Sequence, residues 1–208
     1  MNRMTALTIA LFPVFALCAG DISLPAPQKN GGMTLTETLA SRRSVRKYTA
    51  EEVSMQALAN VLWCANGISS PDGKRTAPSA MNRQEIIIYV TMKSGSFRYD
   101  AATHKLVRVS DADLRPQAGR YAAPVYLLLV ADTQRQRSEI YAAVDTGYVS
   151  QNIYLPPPFL TLKRQHSLPF FTIYAFNSRK SSYIKSNQSV GSKSWESAKW
   201  IPIFIASS

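Results

Sequence analysis

Apolar positions fall along the chain in blocks whose spacing changes from one to the next. The first block, Thr5 to Leu17, follows Arg3 and precedes Cys18-Ala19-Gly20. A basic start, an apolar run of about 7–15 residues and small residues behind it form the pattern of an export leader. The run is too short for a membrane-spanning helix of about 20 residues. Residues 1–20 are therefore expected to be a signal peptide, and the mature protein to be periplasmic or envelope-associated. Leu17 fits the lipoprotein cleavage box poorly. Pro25-Ala26-Pro27 then reads as an extended linker. Leu35 to Ala40 reads as a short helix. Thr49-Ala50-Glu51-Glu52 has the spacing of a capping box, and Leu58, Val61, Leu62 and Ala65 behind it make one helical apolar face, with Gly67 as the stop.

Pro71-Asp72-Gly73 is a turn signal, and Ile86 to Met92 is a near-continuous apolar run, as in a strand buried on both faces. Phe97 to Asp100 and Leu106 to Val109 flank a polar turn and predict a hairpin. Pro124 to Ala131 predicts a second buried strand. Glu139 to Leu155 predicts a helix with Ile140, Ala143, Val144 and Tyr148 on its apolar face. The sum is an α+β pattern over residues 21–155.

The pattern breaks at Pro156-Pro157-Pro158, which cannot continue a helix. Composition changes at the same place. The chain carries a net charge of +11, and residues 156–208 supply seven of its bases and a single acid, Glu196. Those residues are Ser-rich and show no sustained helical or strand period, so they read as an atypical basic tail outside the domain, and its abruptness suggests an out-of-frame translation of the domain's normal end. Hydrophobic residues at 46% exclude wholesale disorder of the whole chain. The net charge by itself suggests nucleic acid or an anionic membrane surface as partner. Residues 21–155 hold 16 bases against 12 acids, however, which removes most of that signal from the domain.

Catalytic signatures are sparse. The sequence holds no G-x-G, no H-E-x-x-H, no C-x-x-C and no G-x-S-x-G. Two cysteines and two histidines cannot make a zinc site of the usual spacing. Cys64, His104 and His166 read as core, structural or solvated residues, and no catalytic acid, base or nucleophile stands out. An enzyme built this way relies on a cofactor. Two segments carry a signal. Arg42-Arg43-Ser44-Val45-Arg46 gathers guanidinium groups and a hydroxyl, a donor set suited to phosphate, although a solvated basic face gives the same residues. Pro78-Ser79-Ala80-Met81-Asn82-Arg83-Gln84 offers amide donors and acceptors suited to the edge of a heteroaromatic ring, although an ordinary polar turn would look alike.

Taken together, the R-R-S-x-R and P-S-x-x-N-x-Q segments, with Asp145-Thr146-Gly147-Tyr148-Val149-Ser150-Gln151-Asn152-Ile153-Tyr154-Leu155, resemble the FMN-dependent nitroreductase family, in an exported or envelope branch, over about residues 24–155. The resemblance implies an α+β sandwich of a mixed or antiparallel sheet covered by helices, with its C-terminal part incomplete or altered. It implies a homodimer with FMN at the interface. Arg42, Ser44 and Arg46, flanked by Arg43, are implied at the phosphate and pyrimidine edge. Pro78, Ser79, Ala80, Asn82 and Gln84 are implied along the flavin. Ala80 stands where many members carry Ser. The implied reaction passes hydride from NAD(P)H to the flavin and on to a nitroaromatic, a quinone or a related small-molecule acceptor. The family's covering loop and basic C-terminal segment do not follow Leu155, so flavin is expected to be held weakly. Two alternatives stand beside this reading: a non-catalytic remnant, and a basic nucleic-acid or membrane-surface binding protein.

Overall fold

A computed structural model describes residues 20–43, 48, 51–118 and 122–155, and the backbone of residues 171–177. The leader run, Ser44, Arg46, Thr49, the three prolines and most of the tail lie outside the described residues. Six strands form one sheet: β1 (Ile22–Ser23), β2 (Ile86–Met92), β3 (Gly95–Asp100), β4 (Lys105–Ser110), β5 (Val125–Ala131) and β6 (Phe171–Asn177). Four helices accompany them: α1 (Leu35–Ser41), α2 (Met55–Asn66), α3 (Arg115–Ala118) and α4 (Glu139–Tyr154). The strand order is β1-β4-β3-β2-β5-β6. Neighbours are antiparallel except β5 and β6, which run parallel. The fold is α+β, as the hydrophobic pattern predicts.

Alternation along β2 and β5 divides the interior. Ile86, Ile88, Val90 and Met92 with Val125, Leu127, Leu129 and Ala131 face the main core, shared with Leu58, Val61, Leu62 and Ala65 of α2 and with Ala142, Val149 and Ile153 of α4. Tyr126 and Leu128 point the other way, into a small cluster with Ala118, Ala123 and Tyr48. The helix face read in α2 and both long strands are thus where the sequence puts them. Gly67 ends α2 in extended backbone (φ −73°), and its lack of a side chain matters for space. A Cβ there would sit 2.7 Å from the Trp63 carbonyl oxygen and collide with the Trp63 ring.

Three expectations are corrected. The start of α2 is not at Thr49: the helix begins at Met55, capped by Ser54 Oγ, which accepts from Ala57 N at 3.2 Å. The capping box of this region belongs to α1, where Thr34 and Glu37 satisfy each other's backbone amides. The apolar face read on α4 is reversed. Ile140, Ala143, Val144 and Tyr148 are exposed, and the buried face is Ala142, Asp145, Thr146, Val149, Ser150 and Ile153. Counting apolar residues chose the wrong face because the buried one is half polar. Finally, the tail does contain a strand. The backbone of Phe171–Asn177 pairs along the whole of β5, from Val125↔Phe171 to Ala131↔Asn177, so the β5 edge is covered. Its Phe-Thr-Ile-Tyr-Ala-Phe run has the β-branched and aromatic content that strands favour, which the Ser-rich average of the tail hides.

The segment before α1 is extended, as expected, and packed as well. Leu24 N donates to His104 O at 3.2 Å, Gln56 Nε2 donates to Ala26 O at 3.0 Å, and Asn60 exchanges hydrogen bonds with Gln28 at 2.9 and 3.2 Å. His104 takes part through both ring nitrogens, one 2.9 Å from the Tyr99 hydroxyl and the other 3.0 Å from Pro25 O. Since a carbonyl only accepts, Nε2 carries the hydrogen and Nδ1 receives the Tyr99 hydroxyl. His104 is a structural staple.

Candidate functional site

The segment that enters β2 is held in an unusual conformation. Met81, Asn82 and Gln84 all have positive φ, at 55°, 52° and 49°. Non-glycine residues in this region are uncommon, and each costs about 1–3 kcal/mol, less for Asn. Such a turn persists only if its surroundings fix it, and the surroundings can be named. Ser79 Oγ accepts from Gln84 N at 2.9 Å. Gln84 Oε1 accepts from Arg75 Nε at 3.1 Å, and Gln84 Nε2 donates to Gly73 O at 3.1 Å and to Asn82 Oδ1 at 3.0 Å. Arg75 continues to Asn66 O at 3.1 Å, and Asn66 Nδ2 reaches Ile86 O at 3.0 Å, which ties the turn to the end of α2 and the start of β2. From the other side Asp145 of α4 accepts Ala80 N at 2.8 Å. Pro78, Met81, Asn82 and Arg83 remain exposed. The loop therefore presents an apolar and amide surface to the outside while its backbone is pinned from within.

Beneath it lies a buried pair of acids. Glu85 is 0% exposed and Asp145 2%. Among the described residues neither side-chain oxygen of an ionised Glu85 finds a hydrogen-bond donor. Burial pushes the Glu85 carboxyl up to about 7, and the neighbouring Asp145 pushes in the same direction. The desolvation cause dominates, as expected for a carboxylate without a cation beside it.

Of the sequence-predicted site residues, the structure brings Pro78, Ser79, Ala80, Asn82 and Gln84 together in this loop. The amide of Gln84 is already used three times within the protein. Arg42 ends α1, with its N–H on Thr38 O at 3.0 Å. Arg43 is exposed and spends Nη1 on Ala40 O and Arg42 O at 3.0 and 2.8 Å. Among the described residues no hydrogen bond or ion pair joins these arginines to the loop. Ser44 and Arg46 lie outside the described residues. Sequence reasoning missed Arg75, Glu85 and Asp145 as parts of the site. The signal available was an acid, Asp145, set amid small residues in α4 and an acid, Glu85, directly before a seven-residue apolar strand.

Elsewhere the chemistry is quiet. Burial pushes the thiol of half-buried Cys64 up to about 11, so it stays protonated at neutral pH and offers no thiolate. Among the described residues no group of three or more His, Cys, Asp or Glu could hold a metal ion, and no helix is long and apolar enough to cross a membrane.

Fold and site together define an α+β protein with an exposed, tertiary-held loop suited to a flat heterocycle and without a nucleophile of its own in the described site. A family model described as the nitroreductase family matches residues 39–156, more than half of the chain. The chain belongs to the nitroreductase family, a family of oxidoreductases. A protein of Methanocaldococcus jannaschii named as a nitroreductase is 28% identical over 155 residues, spanning 65% of this chain and 77% of its own. The crystal structure of a protein titled a nitroreductase from Ralstonia eutropha JMP134 is 31% identical, with a TM-score of 0.62 over 74% of this chain and 79% of that one. The family match ends at residue 156, where the three prolines begin.

Proposed function

We propose that this chain is an FMN-dependent oxidoreductase of the nitroreductase type, which takes hydride from NAD(P)H and passes it to a nitroaromatic, quinone or related acceptor. The observation that carries the reading is the loop Ser79–Gln84, with three strained residues held by a dedicated set of hydrogen bonds at the position of the family motif. Strain that the surrounding structure maintains gathers at ligand sites. The exposed amide and apolar side chains of the loop fit a ring that needs one face covered and one edge hydrogen-bonded.

In this reading Pro78, Ala80 and Asn82 lie along the ring, while Ser79 and Gln84 shape the loop. Arg42, Ser44 and Arg46, with Arg43 beside them, hold the phosphate. When bound, FMN supplies the redox chemistry, and the protein orients it and stabilises charge at its pyrimidine edge. No protein general acid or base is needed, which agrees with the neutral Cys64 and the structural His104. A homodimer is part of the proposal. Its support is the apolar surface left uncovered on α1 and α4, where Leu35, Leu39, Ile140, Tyr141, Val144 and Tyr148 are all exposed. The Thr5–Leu17 run supports export to the periplasm or envelope.

A second reading, a remnant without activity, has its own support in the family match that stops at residue 156. One measurement separates the two. Purified full-length chain is titrated with FMN while flavin fluorescence is followed, and NAD(P)H oxidation is then assayed with a nitroaromatic and a quinone. Saturable quenching and acceptor-dependent turnover support the oxidoreductase. A folded protein that neither quenches FMN nor turns over overturns it.

A further inference from the structure

The Glu85 and Asp145 carboxyls have no task in the reaction above, yet the fold buries both under the loop. Burying two ionised carboxylates side by side is prohibitive, because each loses its water and repels the other. A proton on either one converts repulsion into an O–H···O hydrogen bond. We propose that Glu85 holds a proton against Asp145, and that this proton is a latch on the Ala80–Gln84 loop. With the proton in place, Asp145 Oδ2 can stay beside Glu85 and accept Ala80 N. When the proton leaves to water, the second charge drives Asp145 off, the Ala80 amide loses its acceptor, and the left-handed residues Met81, Asn82 and Gln84 lose the tether that opposes their strain.

Among the described residues the surrounding charges do not provide another way out. Neither α2 nor β5 carries a charged residue. In the loop Arg83 is exposed. Arg75 is committed to Gln84 Oε1 and Asn66 O. On the turn after β5, Arg135 reaches Gln84 O at 3.4 Å and Asp132 at 3.6 Å, and Arg137 is exposed. On α4 Glu139 is exposed at the helix start. Among the described residues Asp145 is the one charged group acting on Glu85, and a proton compensates it there. Burial moves the Glu85 carboxyl to about 7, which places the switch within the physiological range.

The latch rests on the proposed function only for its consequence, that flavin binding follows the loop. The test therefore has two independent readouts on the full-length protein. The first is hydrogen exchange of the segment 78–85, corrected for intrinsic pH dependence, at about pH 5.5 and about pH 8.5. We expect exchange about tenfold faster at the higher pH in the wild type, and no such change in Glu85→Gln. Asp145→Asn keeps the acceptor for Ala80 N and removes the like charge, so it also stays protected at both pH values and serves if Glu85→Gln does not fold. A wild type that shows no pH effect, or variants that show the same effect as the wild type, overturn the latch. The second readout is FMN affinity at the same two pH values. If the loop switches and FMN binds at neither pH, the latch stands and the cofactor reading fails. If FMN binds and the loop does not switch, the latch fails and the cofactor reading stands.

Discussion

The two faces of α4 invert the ordinary rule. The face toward the sheet carries Asp145, Thr146 and Ser150, while the face toward solvent carries Ile140, Tyr141, Val144 and Tyr148. Polar groups inside cost desolvation unless each has a partner, and apolar groups outside gain nothing in an isolated chain. Both departures make sense once each face has a job. Thr146 Oγ1 gives its hydrogen to Ala142 O at 2.6 Å, so it stays within the helix. Asp145 leaves the helix to hold Ala80 N. The outer residues are exposed along one side of the helix, and the proposed homodimer would give them a partner. One face positions the loop and the other is the surface on which the proposed homodimer rests, and substitutions on the two should behave in opposite ways.

The largest effect is expected where the inner face is apolar. Ile153 is 3% exposed in the main core. Ile153→Ala should cost about 2–5 kcal/mol, from lost burial and the cavity left behind. Urea unfolding of the full-length protein measures it, and a cost below about 1 kcal/mol would show that α4 is not anchored through this face.

Next comes the acid pair. The Glu85 carboxyl is raised from about 4.5 to about 7. Between those values the native state holds a proton that the unfolded chain releases, so stability is full below about 4.5, falls as pH rises, and levels off above about 7. At roughly 1.4 kcal/mol per pH unit the loss approaches about 3 kcal/mol. Burial holds His104 below its usual 6.5, and a depressed histidine gives the opposite slope, with stability falling as pH drops. The quantity to measure is therefore the difference between Glu85→Gln and wild type in urea unfolding across pH. It should move toward the variant as pH rises. A flat difference contradicts the proton on Glu85.

A smaller effect isolates the tether itself. Asp145→Ala removes the acceptor of Ala80 N, and a hydrogen bond to a charged group contributes about 1.5–3 kcal/mol. Part of that loss returns because one buried acid is gone, so the net change in unfolding free energy should be about 1 kcal/mol or less. Exchange of the 78–85 segment should rise far more than global stability falls. Equal changes in both would mean that Asp145 supports the whole core and not the loop in particular.

These contrasts also explain what could be read from the sequence. The core helix α2 was legible because Leu58, Val61, Leu62 and Ala65 repeat at one spacing, and the buried Asn60 and Asn66 beside them do not break it. The strands β2 and β5 were legible as continuous apolar runs with turn signals beside them. The loop was legible through its residue types. Its strained geometry was not, because positive φ at Met81 and Gln84 comes from tertiary hydrogen bonds to Arg75 and Asp145 that local preference does not encode. The face of α4 was misread for a related reason. Periodicity assigns apolar residues to the inside, and a helix whose buried face is half polar while its exposed face is apolar breaks that assignment. The strand β6 was missed because an averaged composition over the tail concealed seven residues of strong local β character.

The smallest expected stability change tests the outer face. Val144 is 46% exposed and meets no core cluster. Surface substitutions away from special features usually fall within about ±0.5 kcal/mol, so Val144→Ser should leave unfolding at low protein concentration nearly unchanged. Pairing Val144→Arg with Tyr148→Arg goes further, because it places two cations in a face that would meet its own copy. Around a two-fold axis each substitution appears twice in such an interface, and the like charges repel. Sedimentation velocity should show the doubly substituted protein as a monomer at concentrations where the wild type is a dimer. Its thermal unfolding at high dilution should match that of the wild type. If the double variant keeps the wild-type sedimentation behaviour, the outer face of α4 is not the surface through which two copies meet, and the exposure of Ile140, Tyr141, Val144 and Tyr148 needs another partner.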